Sequence, residues 1–222
     1  MQPWVTVLET LTSAAWCEGK TDHESSTGTA ATITTNLYEG ARFRYEPNGA
    51  IVYQVYTSSV SYFNLTSFHN QIIGSGSPTT VGCADMAWGV KVLSNLLGDD
   101  LKVMHIGLPS TPEYLRDPYT GNYIRDSMGN LILTGYASNP FTTNQILAIG
   151  MTTPEVKNWG YHAVAWRGSN DDSGIVYDAC IKLQNVSTWE LPINMAFTTY
   201  RSLLTTTLIG RQGFSDSIHR LD

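Results

Sequence analysis

The spacing of apolar residues changes several times along the chain, and each change marks a segment. Residues 1–80 are rich in Thr and Tyr, with short β-branched and aromatic runs between Gly, Asn and Pro. Thr29-Ala30-Ala31-Thr32-Ile33-Thr34-Thr35 and Ile51-Val52-Tyr53-Gln54-Val55-Tyr56 read as strands, and Glu46-Pro47-Asn48-Gly49 as a turn in which Asn-Gly tolerates positive φ. This part is expected to be β-rich. After the loop composition Gly74-Ser75-Gly76-Ser77-Pro78 the period lengthens. Met86, Val90, Leu93 and Leu97 recur at i, i+4, i+7 and i+11, the stripe of a helix that begins near Cys83. Gly98 stands where a C′ residue belongs, and Leu101 to Ile106 follows as a strand, completing a unit over 81–106.

Residues 107–160 read as a loop-rich insertion. Asp117-Pro118-Tyr119-Thr120-Gly121-Asn122-Tyr123-Ile124 and Asp126-Ser127-Met128-Gly129-Asn130-Leu131-Ile132 each place a Gly-Asn turn before a β run, as in a hairpin. Tyr161 to Trp166 and Ile175 to Leu183 are strand patterns joined by the turn composition Gly168-Ser169-Asn170-Asp171-Asp172-Ser173-Gly174. They predict an antiparallel hairpin over 161–183. In the C-terminal segment 184–222, Met195, Phe197, Tyr200 and Leu204 have roughly helical spacing, and the last dozen residues read as a loose tail.

At 222 residues, 42% hydrophobic and 11% aromatic, the chain suits a single domain that buries its core without disulfides or metal. A net charge of −6 with scattered basic residues argues against nucleic acid or an anionic membrane as the main partner. No apolar run approaches the roughly 18 residues of a membrane helix. Met1-Gln2-Pro3-Trp4 lacks the flank and apolar block of a signal peptide, so either the protein stays inside the cell or this is a mature or trimmed form. The low charge with many Thr, Ser, Gly, Asn, Tyr and Trp residues leans toward a secreted protein or an exported toxin or effector domain; Asn64-Leu65-Thr66 and Asn185-Val186-Ser187 fit the glycan acceptor pattern, as chance alone would give in a Thr-rich chain. Residues alone leave the oligomeric state open.

Cys17, Cys83 and Cys180 are an odd number without a C-x-x-C pair, and the five histidines show no ligand spacing. No metal site and no cofactor are expected. A thiol opening a helix is another matter. Unpaired N–H groups and the macrodipole there favour the thiolate, and the same N–H groups can hold an oxyanion. In the 161–183 hairpin, residues whose numbers sum to about 340–342 face each other, which brings His162 to Asp178 or its immediate neighbour. A carboxylate beside an imidazole fixes its orientation and supports its charged form. Cys83, His162 and Asp178 thus make a nucleophile, base and orienter.

Val81-Gly82-Cys83-Ala84-Asp85-Met86-Ala87, followed by Leu93-Ser94-Asn95-Leu96-Leu97-Gly98, resembles the Cys-helix motif of the transglutaminase-like superfamily. Tyr161-His162-Ala163-Val164-Ala165-Trp166 and Val176-Tyr177-Asp178 resemble its His and Asp strands. Ala179-Cys180 stands where many members have Pro after the Asp. The resemblance implies an α+β, papain-like core, with the Cys helix packed on an antiparallel sheet that bears His and Asp. It also implies a thiol hydrolase or acyltransferase acting on peptide or glutamine amides: protease, deamidase or transglutaminase. A protein or peptide substrate follows. Gln54, Asn70 and Gln71 are oxyanion-hole candidates by their chemistry, and Trp88, Trp159 and Trp166 are candidates to line a substrate cleft. Asp85 is expected to cap or orient the helix start, Cys180 to pack beneath the site, and Cys17 to be structural. His69 reads as a surface residue and His105 as a core histidine. The alternative function is a β-rich extracellular binding or adhesion module with an inactive triad.

Overall fold

The computed structural model describes residues 3–17, 26–40, 42–46, 51–56, 61–74, 77–107, 112–114, 125, 133–136, 141–169, 172–214 and 220–221. Its helices are α1 (Pro3–Leu11), α2 (Ala14–Cys17), α3 (Ser26–Glu39), α4 (Leu65–Ile73), α5 (Cys83–Leu96) and α6 (Phe197–Leu204). Helices and mainly antiparallel sheets together make the fold α+β. None of the helices among the described residues is long and apolar enough to cross a membrane.

The helix α5 organises the core. Cys83 to Val90 are all buried, because the helix lies against α3 and also against the strand His162–Arg167. A helix covered on both sides needs apolar or small residues nearly all round. Met86, Val90 and Leu93 supply the expected stripe, while Ala84, Ala87 and Gly89 allow close approach elsewhere. The helix ends as its sequence indicates, with Gly98 at φ 93°.

The sheet beneath α5 has five strands in the order Met195–Ala196, Ile175–Tyr177, His162–Arg167, Lys102–Gly107, Gly210–Phe214, all antiparallel. The 161–183 hairpin forms, with Ala165 opposite Tyr177 and Trp166 opposite Val176. Its second strand stops at Tyr177, however, and Ile181–Asn185 leaves to join Thr188–Glu190 and Ile146–Ala148 in a separate sheet. Two residues expected in the tail, Arg211 and Phe214, instead pair with Ile106 and Met104 as part of the fifth strand of the main sheet.

The expectation of a β-rich 1–80 is overturned. Four of the helices fall there, beside short strands at Phe43–Tyr45, Gln54–Tyr56, Ser61–Phe63 and Thr79–Val81. Thr29–Thr35 is helical within α3, and of Ile51–Tyr56 only Gln54–Tyr56 is strand. Burial outweighs β propensity in α3. Ala30, Ile33 and Leu37 share one covered face, and the hydroxyls of Thr34 and Thr35 donate to the carbonyls of Ala30 and Ala31 at 2.7 and 2.9 Å, one turn back. Within 107–160, residues 141–159 dock firmly, burying Phe141, Ile146, Ala148, Ile149 and Trp159. The two Gly-Asn phrases at 117–132 lie outside the described residues apart from Arg125.

Helix α4 meets α5 where Phe68 lies over Gly89. A Cβ at Gly89 would stand 2.3 Å from the Phe68 ring, and that ring is held by Phe43 at 5.0 Å and Tyr53 at 5.1 Å. Gly89→Ala is expected to destabilise the protein by about 1–3 kcal/mol, overpacking outweighing the gain in helix propensity. Denaturant unfolding checks this, and an unchanged or raised midpoint would refute the packing argument.

Candidate active site

Three elements converge on one buried point. Cys83 is the first residue of α5, His162 opens the central strand of the sheet, and Asp178 follows the strand Ile175–Tyr177. His162 Nε2 and Asp178 Oδ2 are 2.8 Å apart. The hairpin register sums to 342, so Asp178 is not directly across from His162; it reaches the imidazole diagonally from the point where its strand breaks. Equal parity keeps both side chains on one sheet face.

Cys83 lies near enough to the same ring and to the Tyr45 hydroxyl to raise the pKa of each. The alignment at the imidazole is loose, since His162 Nδ1 keeps no partner of good hydrogen-bond geometry. Loose nucleophile–base contacts are usual before a substrate tightens them. His162 is 0% and Asp178 1% exposed, and Cys83 retains 8% exposure.

Three donors hold the Asp178 carboxylate. His162 Nε2 and the Tyr200 hydroxyl both meet Oδ2 at 2.8 Å, and the Cys180 N–H donates to Oδ1 at 2.8 Å. The indole of Trp159 stacks on the imidazole at 4.3 Å with the planes 9° apart, and Tyr45 meets its edge at 6.4 Å. Burial alone would lower the His162 pKa. The charge and hydrogen bond of Asp178, followed by those of Cys83, overcome burial and push it up to about 10. Cys180 is fully buried beside this pair, and its thiol is pushed well above the usual range by burial first and by Asp178 next. It remains a thiol, in keeping with a packing role.

Asp85 fixes the entrance to α5. Its carboxylate accepts from Gly82 N–H at 3.3 Å, as an acidic third residue of a helix can, and from the N–H groups of Val52 and Tyr53 at 3.0 and 2.8 Å. Burial raises its pKa, while these backbone donors work in the opposite direction. The clamp ties 52–54 to the N-terminus of α5 and so brings the buried residue Gln54 to the Cys83 end of the helix. Beside it, the parallel pairing of Phe43–Tyr45 with Thr79–Val81 sets Tyr45 opposite Val81, two residues before Cys83.

The remaining candidates separate. Asn70 is exposed on α4, and Gln71 donates its amide to the carbonyls of Arg42 and Ser77, so neither is presented to Cys83 as an oxyanion donor. Among the tryptophans, Trp159 belongs to the site, held there by the pairing of Asn158–Trp159 with Phe141–Thr142. Trp88 is buried within α5 under Lys91, and Trp166 packs on Phe197 four residues along the strand from His162; both are core rather than cleft. His69 is not a surface residue but a buried one on α4, 2.8 Å from the Thr10 hydroxyl. His105 is half-buried against Tyr161 at 5.0 Å, not a full core residue. Cys17 is partly exposed and lines a cavity of about 390 Å³ with Leu11, Trp16, Ile33 and Leu97, among α1–α3 and the end of α5 and apart from the triad. Tyr45 and Tyr200 escaped the sequence reading, since nothing local distinguishes them from other tyrosines.

No protein family, curated protein or solved structure matches the chain.

The raised pKa of His162 couples the site to stability. In the fold the imidazolium is favoured, so its contribution is full below the unfolded value near 6.5 and is lost as pH rises through about 10. Thermal melts from pH 6 to 10 are expected to decline in the wild type and to be flatter in Asp178→Asn. Parallel declines would show that the pair is not coupled to folding.

Proposed function

We propose that the protein is a cysteine-nucleophile acyl-transfer enzyme of the transglutaminase-like, papain-like type, acting on peptide or glutamine amides. One observation carries the reading: a thiol at a helix start, an imidazole and a carboxylate, separated by up to 95 positions (178 − 83), share one buried cluster in the order sulfur, ring, acid. A helix laid on an antiparallel sheet that bears His and Asp supports the papain-like assignment. The match of Gly82-Cys83-Ala84-Asp85 and the His and Asp strands to the family pattern supports it further.

The chemistry follows from the roles. His162, favoured as the imidazolium, holds on Nδ1 the proton given up by Cys83, and the sulfur attacks the amide carbonyl, forming a C–S bond as the carbonyl π pair moves onto oxygen. His162 Nε2 remains against Asp178, which holds the ring in place and stabilises the imidazolium. In this reading the N–H groups at the start of α5 hold the oxyanion, and Gln54 and Tyr45 stand at the same end of the helix. The tetrahedral species then collapses, the C–N bond breaks, and His162 gives its proton to the departing amine. Water resolves the thioester in hydrolysis or deamidation, which we favour as the default acceptor; a lysine amine would give a cross-link. A β-rich binding module has less support, because the described residues of 1–80 fold chiefly as helices.

At neutral pH, iodoacetamide is expected to label Cys83 faster than Cys17, Cys180 or a model thiol, as read by peptide mass spectrometry. Across a panel of glutamine peptides and protein amides, Cys83→Ala should abolish turnover. Asp178→Asn should lower it by about 10²–10⁴-fold while the fold persists. Labelling of Cys83 no faster than a model thiol, together with indistinguishable wild-type and Cys83→Ala proteins, would refute the enzyme.

A further inference from the structure

The proposed reaction leaves one buried nucleophile unused. Cys180 is 0% exposed, yet its sulfur, one ring nitrogen of His162 and one carboxylate oxygen of Asp178 all lie within 4.8 Å of one another. Neither the acyl transfer nor core packing requires a thiol in that position.

We propose that His162, Asp178 and Cys180 bind a borderline-soft divalent cation, zinc above all, and that the bound ion switches off the Cys83–His162 couple. The inhibitory half rests on the acyl-transfer reading; the binding half does not.

Three features support the site. The donor set is one imidazole nitrogen, one carboxylate oxygen and one sulfur, a mixture that suits zinc over magnesium or calcium. Zinc bonds of about 2.0–2.3 Å put tetrahedral ligand atoms roughly 3.3–3.8 Å apart, so the cluster needs a small adjustment in which His162 Nε2 and Asp178 Oδ2 open from 2.8 Å. Finally, the charges balance: a carboxylate and a thiolate offset the dication, which a buried site requires. The carboxylate is already oriented for such a role by the Tyr200 hydroxyl on Oδ2 and the Cys180 N–H on Oδ1.

Binding involves no redox change. Bonds form from the metal to sulfur, nitrogen and oxygen, and the protons of the Cys180 thiol and the His162 imidazolium leave to solvent. A ring whose lone pair is committed to the cation can no longer exchange a proton with Cys83.

Cobalt(II), an optical stand-in for zinc, tests the site on the full chain. One equivalent is expected to bind with a thiolate-to-cobalt charge-transfer band, and zinc should displace it. Cys180→Ser should lose the band and weaken uptake at least about 10-fold. The double variant Cys17→Ser/Cys83→Ser keeps Cys180 as its one thiol and should retain the band, so the test does not hang on Cys180→Ser folding. No uptake by the wild type, a band that survives in Cys180→Ser, or a band lost from the double variant would overturn the site. Zinc should slow iodoacetamide capture of Cys83 at least about 10-fold in the wild type and leave Cys180→Ser unaffected. Capture that ignores bound zinc would overturn the inhibition. If Cys83 of the metal-free protein reacts no faster than a model thiol, it is the enzyme reading that fails, and the cobalt spectrum still decides the site.

Discussion

Removing an imidazole and a carboxylate from water is costly, and the arrangement around His162 and Asp178 follows from meeting that cost. The two groups lie 2.8 Å apart with essentially no solvent contact. A buried charge pair of this kind is tolerated only when its remaining lone pairs find donors. Tyr200 and the Cys180 N–H supply them for the acid, and Trp159 lays a π-face over the ring. The break after Tyr177 has the same origin. If the strand ran straight on, the register would carry Asp178 to a place opposite Val164; leaving the ladder there turns the carboxylate toward the ring and frees a backbone N–H to cap it.

A second buried carboxylate performs a different task. Asp85 sits where the dipole of α5 is positive, and it gathers N–H groups from Gly82, Val52 and Tyr53. It joins the irregular segment before α4 to the start of the Cys helix. Position, not reactivity, is what it provides: Cys83 is held at a helix end whose approach is fixed by two independent stretches of chain, one clamped by Asp85 and one paired through Tyr45 and Val81. Together these constraints explain how a side chain at the first turn of a helix, where fraying is ordinary, can be aimed at a ring on a strand nearly eighty positions away.

Much of the site was legible because its parts are local signals. The apolar stripe from Met86 to Leu97 marks α5 and its end at Gly98, and the turn composition 168–174 marks the hairpin that carries His162. The hairpin register brought His162 to Asp178 or its immediate neighbour, although not to the diagonal contact they make. What misled was propensity. Thr29–Thr35 has the residues of a strand, but Ala30, Ile33 and Leu37 are spaced for a helix that α5 can cover, and threonine hydroxyls are satisfied by the carbonyls one turn back. The site roles of Tyr45 and Tyr200, and the tail strand Gly210–Phe214, gave no local signal, since each depends on a partner far away in sequence.

Sequence by itself therefore singled out Cys83, His162 and Asp178 and the short-range elements that bear them, because helix periodicity, turn chemistry and hairpin register act over short stretches of chain. Tertiary structure decided which tryptophan covers the imidazole, which polar groups hold the acid and which cysteine shares its pocket. Those choices depend on what is left unpaired when α5, the central sheet and the 141–159 segment close on one another, and burial, unlike periodicity, is a property of the whole chain.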